Sequence, residues 1–326
     1  MLKYILKRLA MSVFILIGVS LIIYTLIRSM PVSFIESKVA EINQTNSISE
    51  EQIEVMLEKY GYNTSIIEGY FNWLKAAVRL DFGESFKYEG YPVIDVIKDN
   101  MGVSFIVAAI ATIFEFMIAI PLGITAATHQ YSVRDYIVTF LVMIGISLPA
   151  FFFGQVLKDL LAMKLGWFPP SGLGTKTESY TGLAMILDYI RYLVIPITTV
   201  VILSIGARMR MTRTNMLEVL SSDYIRTARA KGLKERVVIY KHAFRNTLIP
   251  LVTSLAGLLP SLFSGAIITE QVFDLPGIGN KAFQAMVAGD IPFIMGYNMF
   301  LALLSVIGVL LADLMYAVVD PRVKLT

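Results

Sequence analysis

The chain has 326 residues, 56% of them hydrophobic and only 16% charged. That balance, with the apolar residues gathered in long runs, excludes a water-soluble domain and predicts an all-α polytopic membrane protein. With no cysteine and two histidines far apart in sequence, His129 and His242, disulfides, thiolate metal sites and a histidine metal cluster are excluded too.

The net charge of +3 matters through its placement. Lys3, Lys7 and Arg8 precede an uncharged run from Leu9 to Ile27. Such a run rises about 28 Å as a helix, one hydrocarbon thickness, and is read as a first span with the N-terminus in the cytoplasm. It has no small-residue cleavage site, so a removable signal is not expected. Residues 28–100 hold seven Lys/Arg against twelve Asp/Glu and suit the outer face. Within them Ser49 and Gln52 form a capping box, Gly61 ends the helix, and Ile53, Met56, Leu57 and Tyr60 make its apolar stripe.

A second span is expected near Met101–Thr128, with Pro121 in its later half and Glu115 near its middle. A bare carboxylate at the bilayer centre costs about 2.5 kcal/mol or more. Glu115 is therefore either a neutral, hydrogen-bonded group between helices or a polar group on a solute path. A short inner link with His129 and Arg134 leads to a third span, near Tyr136–Leu157, with Pro149 expected to kink it. Residues 158–189 return outside, where Trp167 suits an interfacial anchor. A fourth span, about Tyr192–Ala207, contains Pro196 and ends at Arg208, Arg210 and Arg213. The fifth, Leu248–Thr269, contains Pro260. Glu270 to Gly279 follows, and its proline and two glycines, Pro276, Gly277 and Gly279, require a tight turn. The sixth, about Phe293–Val318, has Asp313 near its inner end. Six spans with both termini cytoplasmic satisfy the positive-inside rule.

The stretch between the fourth and fifth spans is the most basic. From Arg208 to Asn246 there are ten Lys/Arg against three acids. Ser222 or Asp223 can cap a helix running to Lys231, and Gly232 stands where a left-handed terminator belongs. A second helix follows, with Val237, Tyr240, Phe244 and Leu248 close to one face. Read from pattern alone, this is either a folded partner-binding element or a basic loop that only sets topology. No G-x-x-x-x-G-K-[ST] run, serine elbow or His-Glu-x-x-His run occurs, so no catalytic residue, cofactor or metal site is expected.

The run Asp223-Tyr224-Ile225-Arg226-Thr227-Ala228-Arg229-Ala230-Lys231-Gly232, followed by His242-Ala243-Phe244-Arg245-Asn246 and Leu248-Ile249-Pro250, resembles the cytoplasmic loop of ABC-transporter permeases. It is most similar to the B-type subunit of the oligopeptide/dipeptide importers. Arg226 and Thr227 depart from the broad EAA-x3-G signature, while Ala228 and Gly232 match it. Pro250 also lies further from the glycine than that signature has it. Tyr60-Gly61, Tyr70, Trp73, Asp81-Phe82-Gly83-Glu84-Ser85, Gly166 to Gly172, Glu270 to Gly279 and Asp320 to Lys324 resemble further family segments, so the likeness covers nearly the whole chain.

The resemblance implies the type I ABC importer permease fold, divided into residues 1–100 and 101–326, with a coupling loop at 208–247. It implies a non-catalytic subunit paired with a second, homologous permease. Two cytoplasmic ATP-binding subunits, an external substrate-binding protein and a peptide substrate complete the set, with no nucleic acid. Asp223, Tyr224, Arg226, Ala228, Ala230, Lys231 and Gly232 would dock the ATPase, and Glu270, Pro276, Gly277 and Gly279 would tuck toward the pore mouth. Nickel, glutathione or another small solute is an alternative cargo. A secondary transporter would show repeats and buried charges near the midplane, and a scaffold leaves the loop unexplained; both remain alternatives of another class.

Overall fold

A computed structural model describes residues 2–29, 64–88, 90–175, 182–255 and 257–319. The expected helix at Ser49–Gly61, Tyr60-Gly61 and the tail Asp320 to Lys324 lie outside them. Among the described residues the chain is helical, with a single isolated bridge between Glu84 and Pro92 and no strand.

The α-helices of six residues or more are α1 (Leu2–Arg28), α2 (Ile66–Ala77), α3 (Val93–Thr128), α4 (Val133–Ser147), α5 (Ala150–Leu157), α6 (Leu183–Leu220), α7 (Asp223–Ala230), α8 (Arg245–Leu255), α9 (Leu258–Ser264), α10 (Ile267–Val272), α11 (Ile278–Ala288) and α12 (Ile291–Val319). α5 runs on into a π-helical stretch, Lys158–Lys164, and a second one, Val238–Phe244, leads into α8. α1, α3, α6 and α12 are long and apolar enough to cross a membrane; α4 with α5 and its π-helical extension is a fifth candidate if the bent pair is one span.

The spans differ from expectation at their prolines and ends. α3 begins at Val93 rather than Met101, and α6 runs through 38 residues rather than a short Tyr192–Ala207. Pro121 and Pro196 sit inside these helices without ending them. Pro149 does more than kink the third span: α4 and α5 meet there at 102°. Leu148, forced toward extended backbone by the proline ring after it, has ψ 132°, and Pro149 becomes the N-cap of α5. The fifth expected span is divided among α8, α9 and α10.

α3, α4 and α6 form one tightly packed unit. Gly123 lies against Thr212, Gly145 against the Ile202 carbonyl, and Gly206 against Ile146 and Val142, where added methyl groups would collide. Asp135 at the start of α4 accepts a two-pronged contact from Arg213 of α6, Nε to Oδ1 at 2.9 Å and Nη2 to Oδ2 at 2.8 Å. α12 packs on α1, where Arg8 pairs with Asp313 at 3.2 Å. At the other end of the bundle, Tyr24, Tyr70, Trp73, Phe82, Val93 and Phe293 join in one apolar cluster. The family-like Tyr70, Trp73 and Phe82 therefore serve packing.

Candidate functional site

The basic loop folds as a helix on an apolar base. Ile225 and Ala228 of α7 are buried with Ile124, Ala127, Met216, Val238 and Ala243. Ser222 occupies the N-cap position, but its hydroxyl donates back to the Val219 carbonyl rather than capping. At the far end the Gly232 amide bonds the Arg229 carbonyl and the Leu233 amide the Ala228 carbonyl, a Schellman closure. Gly232 has φ +74°, as its position in the sequence predicts.

A guanidinium strap closes the corner. Arg229 donates from Nε and Nη2 to Glu235 at 3.2 and 2.7 Å. The Arg229 bond holds the Glu235 carboxyl below its ordinary range, and Glu235 in turn raises the Arg229 guanidinium. Asn246 Nδ2 donates to the Tyr224 hydroxyl at 3.1 Å, tying α7 to the segment after it.

Of the expected docking residues, Asp223, Tyr224, Arg226, Ala230, Lys231 and Gly232 are exposed. Ala228 differs from the others: at 7% exposure it faces this chain's own core. The expected apolar face of the following helix is corrected. Val238 and Ala243, five apart, are buried, whereas Val237 and Tyr240 are exposed. The π-helical winding between them widens the turn, so the face repeats at five residues rather than four.

Glu115 meets Arg208 inside the bundle. Its Oε1 accepts from Arg208 Nε at 3.0 Å, with side-chain exposures of 10% and 16%. Arg208 also donates from Nη1 to Ser254 Oγ at 2.7 Å and lies 4.6 Å over the Phe116 ring. Through these contacts Arg208 joins α3, α6 and α8. Arg208 and Arg213, expected as surface markers of the inner end, are both engaged by carboxylates inside the bundle, while Arg210 stays exposed.

The Glu270 motif is built inward. Glu270 is 1% exposed, accepts from Ser104 Oγ at 2.6 Å and from the Asn280 amide at 2.8 Å, and lies directly against Gly265, Gly277 and Gly279. Ser104 Oγ also accepts from the Ile278 amide at 2.8 Å. Gly277 and Gly279 are there for space: the positive φ of the turn falls on Asp274 at +49°. Pro276 is the exposed member. The carboxylate is thus a latch that holds the turn to α3.

Sequence reasoning missed Asp290. It is buried, accepts from the Phe293 amide at 3.1 Å as the N-cap of α12, and also accepts from Ser85 Oγ and the Lys87 amide. Burial pushes its carboxyl up, against the pull of these donors. The Asp-Ile-Pro run was a legible helix start, but its second duty, holding residues 85–87, was not local. Among the described residues no group of acids and histidines could hold a metal.

The geometry is that of an α-helical membrane bundle whose longest helix ends in an exposed basic helix–glycine corner. The chain belongs to the family of binding-protein-dependent transport system inner membrane components: the family profile matches residues 119–325 and that of its N-terminal region residues 1–108. It is 36% identical over 324 residues to the oligopeptide transport system permease protein AppB of Bacillus subtilis, covering 99% of this chain and 100% of that one. To the dipeptide transport system permease protein DppB of Lactococcus lactis subsp. cremoris it is 32% identical over 326 residues, covering 100% of both. Among solved structures it shares the fold of a chain of the MetNI methionine ABC transporter, with TM-score 0.52 and 16% identity over 70% of this chain and 97% of that one.

Proposed function

We propose that the chain is the permease subunit of an ATP-driven importer of oligopeptides or dipeptides. It crosses the membrane six times with both termini in the cytoplasm, the fifth crossing being the broken α8–α9 path. Residues 1–100 form the first span and outer segment, and 101–326 the transporting part. A second, homologous permease completes the path. Two cytoplasmic ATP-binding subunits supply hydrolysis, and an external binding protein delivers the peptide.

The observation that carries this reading is the exposed face of α7. Asp223, Tyr224, Arg226, Ala230 and Lys231 stand outward on a helix whose inner side, Ile225 and Ala228, is fixed to α3 and α6. A push on that face is delivered to packed helices rather than to a loose loop. The ATPase docks there, and the exposed basic residues suit an acidic groove. Peptide cargo is supported by relatives named for oligopeptide and dipeptide transport.

The purified chain alone hydrolyses no ATP. Uptake of labelled peptide by the reconstituted complex continues when the proton gradient is collapsed at constant ATP. Uptake driven by the gradient without ATP hydrolysis overturns the reading, and uptake of nickel or glutathione in place of peptide changes its cargo.

A further inference from the structure

α2 is a three-sided helix. Tyr70, Trp73 and Ala77 are buried on its inner side. Glu68, Asn72 and Lys75 form a polar strip on the far side, by helical angle. Between them, within about 40° of one another at 3.6 residues per turn, lie Ile67, Phe71 and Val78. These three are 72%, 63% and 77% exposed.

The depth of α2 follows from its contacts with α1. The run from Arg8 to Arg28 is 21 residues long and rises about 30 Å, one hydrocarbon thickness. The Tyr70 hydroxyl lies 2.8 Å from Ser20 Oγ and donates to the Ile17 carbonyl at 3.3 Å. Ile17 is about 16 Å below Arg28 along the helix, near the middle of the span. Tyr24, one turn outward, meets both the Tyr70 and Trp73 rings. A helix packed on that part of α1 is at hydrocarbon depth. Beside it α1 exposes Leu21, Ile22 and Leu26, so the apolar strip of α2 continues the lipid-facing surface of a span.

We propose that α2 is seated in the bilayer leaflet at the Arg28 end of α1. Ile67, Phe71 and Val78 contact phospholipid acyl chains, and Glu68, Asn72 and Lys75 turn toward headgroups and water. Part of the polar segment expected on the outer face is thereby an interfacial anchor. It shares an apolar cluster with Phe82 and Val93, which pack against Gly296 of α12. The proposal requires α1 to cross the membrane and is independent of the cargo and of which side faces the cytoplasm.

The test uses the assembled complex in nanodiscs of phosphatidylethanolamine and phosphatidylglycerol. Single nitroxide-labelled cysteines are placed by Ile67→Cys, Phe71→Cys, Val78→Cys and Asn72→Cys, with Ile22→Cys as the lipid-facing reference. At the three apolar positions, the ratio of oxygen access to access by a water-soluble nickel chelate should exceed that at Asn72→Cys and match that at Ile22→Cys. Nickel access at Phe71→Cys and Val78→Cys equal to that at Asn72→Cys shows a water-side helix and overturns the proposal. Exclusion of both reagents there shows cover by protein and overturns it equally.

Discussion

Gly232 is the residue at which conformation alone decides the outcome. A Cβ there meets nothing within 4 Å, so crowding within the chain is not the obstacle. The obstacle is φ +74°, which costs a non-glycine residue roughly 1–2 kcal/mol, and more when β-branched. Gly232→Val should leave the chain inserted, weaken co-purification of the ATPase subunits and abolish peptide uptake. Retained ATPases with normal uptake would reduce the loop to a topology-setting segment. Glu115 makes the contrasting case, because its role lies in a partner 93 residues away. Glu115→Gln should lower the thermal midpoint in detergent by removing a charge-assisted bond worth about 1.5–3 kcal/mol. Arg208→Gln added to it should cost much less than in the parent chain; additive losses would dissolve the pair.

Among the elements, α6 joins chemistry to motion. It carries α7 at one end, two ion-paired arginines along its length and Gly206 against α4. Gly206→Leu forces α4 away from α6 and should destabilise the protein by about 1–3 kcal/mol, read as a lower unfolding midpoint. The Arg229–Glu235 strap gives the following corner a defined pH response. Glu235 has a depressed folded-state value, so its contribution is present above the ordinary glutamate range and is lost as pH falls through the depressed value. Label-to-label distances between α7 and the segment at Glu235 should therefore be constant from neutral pH down to the ordinary glutamate range and spread only below it. Both side chains are about half exposed, so high salt should weaken the strap at neutral pH as well.

For the whole molecule the decisive quantity is which end faces the cytoplasm. The absence of cysteine allows a clean assay. On intact cells an impermeant thiol reagent should modify Ser65→Cys, at the start of α2, and should not modify Lys234→Cys beside the corner. The reverse pattern inverts the chain and removes the docking face from the ATPases. Ser65 and Phe71 are six residues apart, yet only the first should react, because the helix between them enters the lipid.

The amino-acid sequence by itself determined the class of the protein, the presence of long apolar helices and the Gly232 corner. These rest on local quantities: apolar run length against bilayer thickness, charge at run ends, and the φ that one residue type tolerates. The loop's likeness to ABC permeases was legible for the same reason, since its motif is contiguous. What only the tertiary structure decided are the pairings across the bundle. Glu115 meets Arg208 from another helix, Glu270 meets Ser104 and the glycines around it, and Ala228 packs with Met216 and Val238. A proline marks a disturbance in sequence, but its neighbours decide whether the helix continues, as at Pro196, or turns by 102°, as at Pro149. Apolar residues on α2 read alike whether they meet protein or lipid; the packing of Tyr70 against α1 is what favours lipid, because position along a membrane span is a property of the fold.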